Sequence, residues 1–183
     1  ISDYTQSKYV VAVNSCTAAL HLALAAKNFG IGDKFIAPTY TFVASVEVGE
    51  YLGMKPVLVD CDDNYNIDLN QLEELVKSDA KIKAIIPVHL YGLSCKIDEI
   101  RTFSEKHNLF LVEDAAQGVG VRYSCKIKCK SDINCNSCDD GNVKHVGTFG
   151  DAGTFSFFPG KNLLVLKMRR HGSMHPRPTT VIL

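Results

Sequence analysis

The chain has no imbalance of charge: its 183 residues carry 20 lysines and arginines against 20 aspartates and glutamates, a formal net charge of zero. No global field therefore recruits nucleic acid or an anionic membrane surface, and recognition falls to local sites. Long apolar runs are missing as well. No segment approaches bilayer-spanning length, and the first residues lack the basic-then-apolar order of a secretory signal. The expectation is a soluble cytoplasmic protein with neither a nucleic-acid nor a membrane partner. Internal repeats and long linkers are also absent, which leaves one domain rather than an array.

Hydrophobic side chains make up 46% of the sequence, enough for one well-buried core. Apolar strands alternate with segments of helical period, the pattern of a mostly parallel sheet covered by helices, so the expected fold class is α/β, three-layered. Ser15 is placed to cap a helix running through Leu24 and stopping near Gly30. A strand over 34–37 follows, then a helix over 41–52 with Gly53 behind it, and a strand over 55–60. Asp68 and Gln71 read as a capping box opening a helix over 69–77. The next strand spans 83–88, the next helix 97–107, and a buried strand starts at Leu109.

Seven cysteines are present, and four of them, Cys125, Cys129, Cys135 and Cys138, sit in one short polar stretch within residues 123–146. A secreted disulfide scaffold would spread its cysteines through a core-poor chain, so reduced thiols are expected here. The C-x3-C-x5-C-x2-C spacing, followed by His145, could hold a structural zinc ion, because four thiolates satisfy a tetrahedral site. The competing account is a polar insertion with incidental thiols.

Two segments carry the chemistry. Phe155-Ser156-Phe157-Phe158-Pro159-Gly160-Lys161 sets one lysine just beyond an apolar strand, and Leu109-Phe110-Leu111-Val112-Glu113-Asp114 delivers an acid at a strand's carboxyl end. Ligands gather there in α/β sheets. A lysine and an acid are the polar groups that pyridoxal phosphate requires: Lys161 for a Schiff base with the aldehyde, Asp114 to keep the ring nitrogen protonated. Taken singly, Lys161 reads as a solvated loop lysine and Asp114 as a strand-end cap; the joint pattern favours the cofactor.

Five ordered blocks then carry a resemblance: Val13 to Leu20, Pro38 to Ala44, Pro87 to Gly92, Glu113 to Gln117, and Gly150 to Leu163. The chain resembles the DegT/DnrJ/EryC1/StrS sugar aminotransferases. The resemblance implies an aspartate-aminotransferase-like large domain over residues 1–163, with the cysteine-rich insertion inside it. It implies that the Thr17 and Ala18 amides, the Thr17 hydroxyl and Ser156 hold the cofactor phosphate, that Phe42 stacks on the ring, and that Gln117 meets the ring hydroxyl. Without it, Thr17 and Ala18 belong to an ordinary capped helix, Phe42 is a core aromatic on a buried helix face, and Gln117 is a surface residue. Cys16 stands where relatives commonly have glycine. His89 and Tyr91, read as a hydrogen-bonded structural pair, stay outside the catalytic set.

The implied activity is amination of a nucleotide-linked 4-keto-6-deoxy sugar with glutamate as donor, in a homodimer when the protein is full length. A dehydratase of the same fold and cofactor is the alternative, although such enzymes replace the anchoring lysine with histidine. A non-catalytic remnant is a third reading. After Leu163 the resemblance stops, and residues 164–183 are expected to be a disordered basic tail, leaving a cofactor domain that binds pyridoxal phosphate without turnover.

Overall fold

A computed structural model describes residues 1–125 and 143–161. Helices α1 (Ser2–Thr5), α2 (Cys16–Ala25), α3 (Ala44–Glu50), α4 (Leu72–Ser78) and α5 (Ile97–His107) alternate with strands. The strands are β1 (Lys34–Pro38), β2 (Lys55–Val59), β3 (Ile82–Ile85), β4 (Phe110–Ala115), β5 (Arg122–Ser124), β6 (Val143–His145) and β7 (Ala152–Phe155). Five form a parallel sheet in the order β2-β1-β3-β4-β7, and β5 pairs antiparallel with β6. This is the expected α/β fold.

Side chains alternate across each strand, so neighbouring residues serve opposite layers. Phe35, Ala84 and Val112 face one way and pack with Leu20, Leu24 and Val48 of α2 and α3. Ile36, Ile85 and Leu111 face the other way and pack with Leu72, Ile97 and Ile100 of α4 and α5. Each such buried aliphatic side chain contributes about 1.5–3 kcal/mol. By the same alternation, Glu113 and Asp114 leave β4 on opposite faces.

Local chemistry explains where elements differ from the sequence reading. Ser15 does cap α2, its Oγ accepting the Ala18 N–H at 3.1 Å, and the chain leaves the helix through Asn28 at φ 56°. Helix α3 is shorter than expected, 44–50 rather than 41–52. Asp68 caps a single 3₁₀ turn, Leu69–Gln71, before α4 begins, and the Gln71 amide reaches the Asp68 carboxylate rather than its backbone. Strand β3 ends at Ile85 because Pro87 has no N–H to give the ladder, and Val88 then bridges to Asp114.

Glycine is required where the loop before β7 crosses the sheet. A side chain at Gly153 would collide with the Gly147 carbonyl, and Gly147 itself has φ +80° against the Phe155 ring.

The β5–β6 strand pair carries His145, whose ring packs on Tyr4 of α1 with centroids 4.5 Å apart. Its Nε2, although buried, meets no hydrogen-bond partner among the described residues. Burial, with Arg122 second, pushes its pKa below the ordinary 6.5. Below pH 6.5 the unfolded chain therefore binds a proton that the folded ring resists, and stability falls. His145→Phe keeps the ring contact and removes both penalties. The variant should gain stability over the parent, with a margin that widens between pH 7 and pH 5 in urea melts; an unchanged margin would show that the ring is not held neutral.

Candidate active site

Strands β1, β4 and β7 run parallel, so their carboxyl ends open on one edge of the sheet. Asp114 lies there, 5% exposed, on the α2 and α3 side. Its Oδ2 accepts the Ser45 hydroxyl at 2.7 Å and its Oδ1 accepts the Ala116 N–H at 3.0 Å. With Ser45 donating to the carboxylate, its oxygen accepts the Thr41 hydroxyl, 3.0 Å away. A buried carboxylate is thus held by named donors in one orientation, with lone pairs left for a ligand. The sequence reading missed Ser45 and Thr41; their signal was the i, i+4 spacing that spans the entry into α3.

The N-terminus of α2 closes the other side. Cys16 Sγ lies 3.4 Å from Thr154 Oγ1 of β7. Burial, then the negative Asp114, pushes its pKa up to about 12, with Thr154 and the Lys161 cation pulling more weakly the other way. The thiol is neutral at physiological pH, and its surroundings place Asp114 and Lys161 in one electrostatic neighbourhood. Thr17 and Ala18 follow in the first turn of α2, where helix N–H groups favour an anion. Ser15 Oγ takes the Ala18 N–H, so a phosphate would share or displace that cap.

Beyond β7, Ser156 is buried and its Oγ accepts the Phe158 N–H at 3.3 Å. The chain turns through Pro159 and Gly160, and the Lys161 N–H donates to Phe158 O at 2.9 Å. The Lys161 ammonium lies over the Phe42 ring, 5.9 Å from its centroid. Phe42 precedes α3 and is 66% exposed, which overturns its reading as a core aromatic on a buried helix face. An open ring face beside an amine is what a planar aldehyde cofactor needs.

Gln117 is half-buried rather than a surface residue, its Oε1 accepting the Tyr91 N–H at 2.6 Å. Tyr91 holds a left-handed φ of 55° to make that contact. His89 and Tyr91 are not a pair. The Tyr91 hydroxyl meets Tyr40 at 2.9 Å, while the fully buried His89 Nε2 lies 3.0 Å from Glu113 Oε2. Burial disfavours charge on this ring, whereas Cys95 and Glu113 favour it, and the net direction is upward. The Cys95 N–H, 3.2 Å from Nδ1, makes that nitrogen an acceptor. Although the upward shift favours a charged ring, the Cys95 N–H needs a lone pair on Nδ1, so we assign the neutral ring with its proton on Nε2, donated to the Glu113 carboxylate.

The proposed zinc ligands do not form a described site. Cys129, Cys135 and Cys138 lie outside the described residues. Cys125 is buried in the Ile97 and Ile100 core, whereas His145 packs on Tyr4. Among the described residues no group of three or more His, Cys, Asp or Glu could hold a metal ion.

Comparison with known proteins gives the family and the fold. The model of the DegT/DnrJ/EryC1/StrS aminotransferase family matches residues 1–167. The chain is 42% identical over 161 residues to a GDP-perosamine synthase of Caulobacter vibrioides, covering 87% of this chain and 38% of that one. It is 42% identical over 150 residues to a UDP-N-acetyl-3-dehydro-alpha-D-glucosamine 3-aminotransferase of Acidithiobacillus ferrooxidans, covering 81% and 35%. Among solved structures it is similar to the PLP form of a putative sugar aminotransferase from Streptococcus pneumoniae, with a TM-score of 0.67 and 30% identity, covering 88% and 40%. The chain thus spans well under half the length of these relatives. No helix among the described residues is long and apolar enough to cross a membrane.

Proposed function

Because this chain belongs to the DegT/DnrJ/EryC1/StrS aminotransferase family, we propose that residues 1–163 are the pyridoxal-phosphate-binding domain of a cytoplasmic sugar aminotransferase. The substrate is a nucleotide-linked 4-keto-6-deoxy sugar, the amino donor is glutamate, and the full-length protein is a homodimer. The observation that carries the reading is the buried Asp114 carboxylate, oriented by Ser45 and Ala116 near a lysine that stands over the open face of Phe42.

Pyridoxal phosphate, when bound, supplies an aldehyde that takes up an amine and a ring that accepts the electron pair released by deprotonation. The residues divide the remaining work. Asp114 would hold a proton at the ring nitrogen, and its cap from Ser45 keeps the carboxylate aimed. Lys161 would anchor the cofactor and, once released, its amine could accept and return a proton. Phe42 would lie against the ring, and Gln117, its oxygen already held by Tyr91, would face the ring hydroxyl. Thr17, Ala18 and Ser156 would hold the phosphate, where the α2 dipole favours negative charge. A structural zinc on Cys125, Cys129, Cys135 and Cys138 rests on cysteine spacing alone.

The test mixes the protein, alone and joined to the C-terminal domain of a matched relative, with pyridoxal phosphate, glutamate and several nucleotide-linked keto sugars. The joined form should release 2-oxoglutarate in step with amino sugar. Loss of water from the sugar without glutamate consumption would establish the dehydratase reading instead.

A further inference from the structure

Glu113 is fully buried beside the cofactor-binding acid, and the proposed chemistry leaves it without a role. Its Oε1 accepts the Phe149 and Gly150 N–H groups, both at 2.6 Å. Its Oε2 accepts the Gly147 N–H at 2.7 Å and faces His89 Nε2 at 3.0 Å. One carboxylate therefore gathers the loop that leads into β7 and the segment that follows β3. Those two segments flank Asp114. On one side the Asp114 N–H donates to Pro87 O at 2.9 Å, and its carbonyl accepts the His89 N–H at 3.0 Å. On the other, Asp114 pairs with Thr154 of β7, the strand that leads to Ser156 and Lys161. Gly153, opposite Glu113, lacks the side chain that would keep the Gly147 backbone away.

We propose that Glu113, with His89, is a positioning residue of the cofactor site: it braces β3, β4 and β7 from behind, fixing Asp114 relative to Lys161. The proposal rests on the pyridoxal phosphate reading. The negative charge is integral to the brace. A glutamine in the same place must turn its NH2 either toward Gly147 and His89 or toward Phe149 and Gly150, and two N–H donors lose their acceptor in each orientation. His89 cannot compensate by moving its proton, because Nδ1–H would then face the Cys95 N–H.

The experiment measures pyridoxal phosphate affinity, the pH dependence of the bound cofactor's visible band and thermal stability for the parent chain, Glu113→Gln, His89→Gln and Leu72→Ala. Leu72 lies in the same core layer, on α4 rather than on the braced strands, and controls for stability loss alone. Glu113→Gln should weaken cofactor affinity roughly tenfold and shift the band's titration, as loss of a supporting shell does elsewhere. Leu72→Ala should lower the melting temperature and leave both cofactor readouts in place. Should Glu113→Gln fail to fold, His89→Gln, which alters one of the donors, carries the test with a smaller shift of the same sign. Unchanged cofactor readouts in the folded Glu113 or His89 variant, or equal changes in Leu72→Ala, would overturn the brace while leaving the cofactor reading intact. No binding by the parent chain would sink both.

Discussion

Borohydride added to the protein equilibrated with pyridoxal phosphate should leave one stable phosphopyridoxyl group, and peptide mapping should find it on Lys161. The expectation comes from position rather than from lysine chemistry in general. The ammonium stands over the exposed Phe42 ring, at the carboxyl edge of the sheet and in the same electrostatic neighbourhood as Asp114. Lysines away from this edge, even those that lie over an aromatic ring as Lys8 does over Tyr9, should form only transient adducts. Lys161→Ala should abolish the label and, in a form that turns over, slow transamination by about 10⁴-fold, since both anchoring and proton transfer are lost. Label spread over surface lysines with Lys161 unmodified would remove it from the site.

Asp114→Asn has the second-largest expected effect. The fold should tolerate it, because the Ser45 hydroxyl can rotate to accept from an amide where it now donates to the carboxylate at 2.7 Å. The ring nitrogen, however, would face a neutral group. Without the carboxylate that favours the protonated ring, the glutamate half-reaction should slow roughly 10²- to 10³-fold, the scale of removing one preorganised electrostatic partner. Stopped-flow absorbance of the cofactor band measures it. Ser45→Ala leaves the charge and loosens its aim, so its effect should be much smaller and of the same sign. Unchanged donor kinetics in Asp114→Asn would take Asp114 out of the mechanism.

Much of the fold was legible because its signals are local. Helix α5 spans 97–107 as expected, and β1, β2 and β4 begin within a residue of their predicted starts. Errors came where a local pattern met a tertiary or steric demand. The apolar period after Thr41 suggested a longer α3, yet Thr41 is drawn to Ser45 and Phe42 stays out of the helix. Pro87 interrupts the ladder inside an apolar run from Ala84 to Val88. His89 and Tyr91, two residues apart, looked like partners, but their side chains serve Glu113 and Tyr40.

The sequence by itself determined the alternation of strands and helices, the cap on α2 and the order of the blocks that carry lysine, acid and helix terminus. These follow from spacings of two to four residues, which backbone geometry converts directly into faces and caps. Only the tertiary structure decided which groups Glu113 and Asp114 each meet. Adjacent in the chain, they leave β4 on opposite faces, and their partners lie far along the sequence: Ser45 is 69 residues from Asp114, and Gly147 is 34 residues from Glu113. No local spacing encodes such a meeting. It is made by parallel strand pairing, which brings distant segments side by side and lets the two faces of β4 hold adjacent carboxylates among different partners.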